Sequence, residues 1–162
     1  MSETGSVARV RAALAAAGEA DTIIVYPDGT RTAADAAAAV GCAVAQIAKS
    51  IVFKAEIAGQ PARAAVIVTS GANRVDPAKA GAALGVKLVR ADADWVREMT
   101  GFAVGGVAPI GHLAPPLILV DAALLALDPV YAAAGSPSHV FRTSAQALLR
   151  MTGAEVAEVA AG

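Results

Sequence analysis

The sequence predicts one α/β domain built on a mixed, strongly curved sheet with helices packed around it. Short valine- and isoleucine-rich runs alternate with helical segments that carry their own start and stop signals. The links between the runs are partly of hairpin length and partly of helix length, which calls for both antiparallel and parallel pairing. At 162 residues, without repeat, low-complexity tail or linker, the chain is expected to form a single domain over residues 1–162. A domain of that size buries about two thirds of its unfolded surface without disulfides or metals.

The helices are marked by their ends. Over residues 6–17, Val7, Val10 and Leu14 share one face and Gly18 stops the run. Thr32-Ala33-Ala34-Asp35 has the form of a capping box and opens a helix that Gly41 closes. Asp76-Pro77 supplies an N-cap and a first-turn proline, with Gly85 as the stop. Residues 92–99 and 144–151 behave alike, each closed by a nearby glycine. Strands are expected over 22–26, 47–54, 64–69, 87–90, 117–120 and 140–142. Pro27-Asp28-Gly29-Thr30 is a turn by composition.

Composition excludes several classes. The hydrophobic fraction of 56% is inflated by alanine, and charge, glycine or proline interrupts every stretch of membrane-spanning length. Met1 to Gly5 carries acid rather than base, so neither a signal peptide nor a lipid anchor is expected, and the predicted location is the cytoplasm. The single cysteine, Cys42, has no partner for an internal disulfide, and no cluster has zinc-ligand spacing, so no metal or cofactor is expected. The net charge of −1 argues against a protein that coats DNA. The charge is uneven, however. Residues 49–97 hold eight bases against four acids, +4, and the rest five bases against ten acids, −5.

Lys49 stands out within Ile47-Ala48-Lys49-Ser50-Ile51-Val52-Phe53, because alternation puts it on the same strand side as Ile47, Ile51 and Phe53. It either meets an anionic or polar ligand there, or escapes to solvent or a buried carboxylate. Downstream, residues 101–112 form a glycine-rich segment whose Gly105 and Gly106 offer main-chain N–H groups at close approach, or a plain loop. It lacks the residues of a phosphate-binding Walker loop and of a dinucleotide fingerprint. Ser70-Gly71-Ala72-Asn73-Arg74-Val75-Asp76 leads into a helix N-terminus, where Arg74 could touch phosphate or form a surface ion pair; Asp76 reads as a cap. His112 and His139 are isolated, and no serine elbow accompanies them. Trp95 reads as a helix residue packed on the sheet, and Cys42 as a packing residue.

Gln46 to Phe53, Ser70 to Asp76 and Thr100 to Gly111, in that order, resemble the motifs of the YbaK/ProX aminoacyl-tRNA editing domains, relatives of the editing insertion of bacterial prolyl-tRNA synthetases. The resemblance covers nearly the whole chain. It implies a barrel-like mixed sheet and hydrolysis, in trans, of the ester linking a wrong amino acid to tRNA, of the Cys-tRNA(Pro) or Ala-tRNA(Pro) type. Lys49 matches the family's signature lysine and Gly105 to Pro109 its Gly-x-x-x-Pro loop. Around them Ser50, Ser70, Arg74, Pro109 and His112 are expected to bind substrate. The partners implied are the acceptor end of a mischarged tRNA and prolyl-tRNA synthetase. The other reading is a non-catalytic module of the same fold that binds tRNA ends or a synthetase.

Overall fold

A computed structural model describes residues 5–30 and 32–161; Met1 to Thr4, on which the reading of the N-terminus rests, lie outside them. The chain runs α1 (Gly5–Ala16), β1 (Ile24–Val25), α2 (Ala33–Val40), β2 (Ile47–Glu56), β3 (Arg63–Ser70), α3 (Pro77–Leu84), β4 (Lys87–Arg90), α4 (Ala93–Thr100), β5 (Leu117–Asp121), β6 (Val130–Ala133), β7 (His139–Thr143), α5 (Ala145–Thr152) and β8 (Glu155–Ala157). The sheet order is β1-β7-β6-β2-β3-β5-β8, with β4 also on β2. Pairing is mixed: β2 runs antiparallel to β3 and β4 but parallel to β6, and β3 runs parallel to β5. The mixed α/β architecture agrees with the sequence. The sheet stays open, because its end strands β1 and β8 do not pair with each other.

The helix signals work as read. Thr32 accepts a hydrogen bond from the Asp35 N–H, Asp76 from the Ala78 N–H, Asp92 from the Trp95 N–H and Ser144 from the Ala147 N–H. Gly41, Gly85, Gly101 and Gly153 close their helices in the left-handed region. Two strands have no clear signal. Val130–Ala133 is short and alanine-rich, and becomes β6 because β2 and β7 bracket it; β8 forms against the edge of β5. At the other edge the predicted strand over 22–26 shrinks to two residues. There the Thr22 hydroxyl takes over the ladder, donating to the Arg142 carbonyl and accepting from the Arg142 N–H, each at 2.9 Å.

Both faces of the sheet are covered. One packs Val66, Val68 and Val120 against Val10 and Leu14 of α1, Val96 of α4 and Leu148 of α5, with Phe102 and Phe141 filling the centre. The other packs Ile67 and Leu119 on Ala80 of α3. β3, at the centre, is buried from Ala64 to Ser70. This two-sided burial makes β2 and β3 the rigid frame for what lies at β2's other edge.

Candidate active site

β2 pairs with β3 from Ala48 to Ala55, but its second edge is shared. β6 covers it at Ile47 and Ala48, β4 covers it from Phe53 to Glu56, and residues 49–52 between them have no strand partner there. The Gly71 N–H donates to the Ile47 carbonyl, which fixes the phase of the ladder. Odd-numbered residues of β2 bond to β3, and even-numbered ones turn their main chain toward the second edge. Ser50 therefore presents both its N–H and its C=O to a gap in the middle of the sheet.

That gap opens into a cavity of about 410 Å³. Its floor is Ile47 to Val52, and Tyr131, Ala132 and Ala133 of β6 form one side. Thr30, Thr32, Ala33 and Ala36 come from the turn before α2 and from α2 itself. Ala91, Val96, Val104, Gly105 and Val107 close the opposite side. The lining is mostly apolar, with Lys49 the only charged side chain among the described residues.

Lys49 is partly buried and makes no hydrogen bond or ion pair among the described residues. Burial lowers its ammonium below the usual lysine range, and the nearby positive charge of Arg74 lowers it further. Arg74 is exposed and is not part of the cavity wall. Two cations without an ion-pair partner among the described residues thus stand near one another, an arrangement that favours an anion entering between them.

The glycine segment approaches from above. Gly105 lines the cavity with φ +93°, a conformation that side-chain-bearing residues rarely adopt. Gly106 packs on the turn between β6 and β7, where an added Cβ would lie 2.7 Å from the Ser136 Cα and carbonyl carbon. Sequence reasoning missed the residue that holds the segment's ends. Arg9 of α1 donates from Nε to the Gly111 carbonyl at 3.0 Å and from Nη2 to the Gly101 carbonyl at 2.8 Å, with its guanidinium 5.0 Å from the Phe102 ring centroid. An arginine in the first helix gave no sequence signal for this. Thr30, Thr32 and Tyr131 were likewise missed, since residues so distant in sequence meet only through the sheet.

Several predicted contacts lie elsewhere. The Ser70 hydroxyl is buried and donates to the Ala45 carbonyl at 2.7 Å, so it fastens the turn after β3 rather than facing the cavity. Pro109 and His112 line a separate recess of about 250 Å³ with Pro115, Pro116 and Met151. The reason is that Val107, Ala108 and Ile110 are buried, so the chain passes through the core between Gly105 and His112 and emerges on another side. Ser50 does line the cavity, but its Oγ is buried without a partner, which leaves the main chain as its contribution. Asp76 is a cap, as read. Trp95 packs against the core with the Lys54 ammonium 4.9 Å from its ring centroid. Cys42 packs on Ala36, Ala37 and Ile47, and burial raises its thiol pKa, which suits a packing role. His139 opens β7, with Nδ1 2.6 Å from the Ser136 hydroxyl.

Two predictions concern this framework. Asp121 is buried and accepts from the Thr69 hydroxyl at 2.7 Å, the Asn73 amide at 3.3 Å and the Ala123 N–H at 3.1 Å, tying the Arg74 turn to β5. Asp121→Ala orphans these donors and is expected to cost about 3 kcal/mol in urea unfolding. Burial also lowers His112 below its ordinary pKa of 6.5. The unfolded chain then binds a proton that the folded one refuses, so stability should fall as pH drops below about 6.5. Urea midpoints across that range should flatten in His112→Asn.

The sequence profile described as the aminoacyl-tRNA editing domain matches residues 27–151, a stretch that contains every residue of the cavity lining. The chain belongs to the aminoacyl-tRNA editing domain family. Like-folded relatives span its length. An editing-domain relative described as a candidate trans-editing enzyme for prolyl-tRNA synthetase has a TM-score of 0.87 and 41% identity, covering 99% of this chain and 100% of its own. A structure from work on computational epitope grafting onto scaffold proteins has a TM-score of 0.89 and 40% identity, with the same coverage. Hypothetical protein APE2540 has a TM-score of 0.86 and 28% identity, covering 94% of this chain and 99% of its own. The uncharacterized protein YwhH of Bacillus subtilis (strain 168) is 30% identical over 111 residues, 68% of each chain. Among the described residues of this editing domain, no helix is long and apolar enough to cross a membrane.

Proposed function

We propose that this editing domain is a deacylase acting in trans on mischarged aminoacyl-tRNA, with Cys-tRNA(Pro) or Ala-tRNA(Pro) as the substrate type and translation fidelity as the outcome. The observation that carries this reading is Lys49, a cation without a partner among the described residues, in a largely apolar cavity that Gly105 also lines. The likeness to a candidate trans-editing enzyme for prolyl-tRNA synthetase supports the tRNA(Pro) assignment and a working relation with that synthetase.

The reaction asks little of the protein. An ester beside an α-ammonium is already a reactive electrophile, so positioning and charge stabilisation can accelerate its cleavage without a protein nucleophile. Lys49, kept protonated, binds the terminal phosphate or the ester carbonyl. Main-chain N–H groups around Gly105 and Gly106 orient the ester, and Arg74 takes a phosphate. The oxygen of a water, or the thiol of a cysteinyl substrate, forms the new bond to the carbonyl carbon. The bond from that carbon to the ribose oxygen breaks, and the ribose oxygen takes the proton that the nucleophile loses. Pro109, His112 and Ser70 act at a distance, holding the loop and the turn.

A panel of mischarged tRNAs tests the reading. Release of free amino acid from one or two small-residue substrates, well above the rate without protein, is expected. Uniform inactivity across the panel would leave a tRNA-binding module instead.

A further inference from the structure

An aminoacyl ester brings a positive charge of its own into the cavity. The α-ammonium has three N–H donors and must exchange its water for acceptors, yet no aspartate or glutamate lines the cavity among the described residues, and Lys49 adds a like charge. The acceptors have to come from the main chain, and the gap in the sheet supplies them. The Ser50 carbonyl points into that gap between the end of the β6 ladder and the start of the β4 ladder.

A second carbonyl meets it from β6. The Ala134 N–H donates to the His139 carbonyl, so Ala134 and, by alternation, Ala132 turn their main chain to β7, while Ala133 turns to β2. The β2–β6 pairing stops at Ala48 and Ala132, which leaves the Ala133 carbonyl beyond the last pair, on the gap side, and Ala133 lines the cavity with Ser50. Carbonyls that no neighbouring strand pairs, and that have no partner among the described residues, are costly in a partly buried site unless a donor arrives. A charged donor makes the stronger kind of hydrogen bond.

We infer that the main-chain carbonyls of Ser50 and Ala133, at the interruption between β6 and β4 along β2, receive the α-ammonium of the aminoacyl group and so restrict the site to substrates with a free α-amine. The inference rests on the deacylase reading and adds the part of the substrate that the site reads. It places the ester carbonyl, one carbon away, beside the residue that follows Lys49 in the chain. N-blocked aminoacyl groups, such as the initiator formylmethionyl ester or a peptidyl ester, would lack the charge that these carbonyls receive and would be spared.

Two non-hydrolysable compounds test it: 3′-deoxy-3′-(L-alanylamino)adenosine and its propionylamino counterpart, which lacks only the amine. Titration calorimetry at pH 7 is expected to show the alanyl compound binding at least tenfold more tightly. The advantage should fade as pH rises past the amine's pKa, about 8. In carbonyl-carbon NMR spectra the Ser50 and Ala133 resonances should move with the alanyl compound and stay with the propionyl one. Equal affinity for the two compounds, or carbonyl shifts confined to other residues, overturns the inference and leaves the deacylase reading standing. Failure of both compounds to bind at millimolar concentration overturns the deacylase reading and the inference with it.

Discussion

Lys49→Ala is expected to lower the deacylation rate at least a hundredfold while the protein stays folded. A hundredfold loss corresponds to about 2.7 kcal/mol of transition-state stabilisation, a reasonable share for one preorganised charge in a mostly apolar cavity. Lys49→Arg should recover little of it, since a planar guanidinium does not reproduce a point charge on a flexible stem. The companion measurement is stability. Burial lowers the Lys49 pKa, so the folded protein disfavours the ammonium relative to the unfolded chain, and Lys49 costs stability at neutral pH. That cost persists below the folded pKa and is relieved as pH rises through it toward the ordinary 10.5. Lys49→Met should therefore melt at or above the wild-type temperature at pH 7 while losing activity, the trade expected of a residue kept for chemistry rather than for folding. Deacylation by Lys49→Ala within about twofold of wild type, a loss below roughly 0.5 kcal/mol, would remove the lysine from the mechanism.

Gly106→Ala is expected to reduce kcat/KM by about ten- to a hundredfold with only a modest drop in melting temperature. The new Cβ would meet the Ser136 main chain at 2.7 Å, and main-chain atoms cannot swing aside as a side chain would. The loop must lift from the β6–β7 turn, and a displacement of about 1 Å at a positioning element costs on the order of a hundredfold in rate. Gly5→Ala is the matched control, since a Cβ there meets open space and its φ is not in the left-handed region. Kinetics on the best substrate of the tRNA panel, with thermal melts alongside, separate a displaced loop from an unfolded one.

Local chemistry made the helices legible. A cap, its acceptor and the closing glycine lie within one segment, so Asp76-Pro77 and Gly85 bracket α3 whatever surrounds it. Strands were legible where β-branched residues are dense, as in β3, and obscure where pairing alone makes them, as in β6. Lys49 was legible because a charge in an apolar run is anomalous in itself. Ser70, Pro109 and His112 were assigned to the cavity by their nearness in sequence to true lining residues, and the fold separates them. One buried turn, residues 107–110, is enough to carry Pro109 and His112 to another recess.

The amino-acid order alone determined the α/β class, the helix boundaries, the anomalous lysine and the glycine segment, because each depends on residues within a few positions of one another. Tertiary structure decided which of them share a cavity, what Arg9 clamps, and where the sheet is interrupted. The interruption at residues 49–52 is a matter of where two other strands stop, and the groups it frees are main-chain atoms that every residue carries. No side-chain pattern can announce a hydrogen bond that a neighbouring strand fails to make.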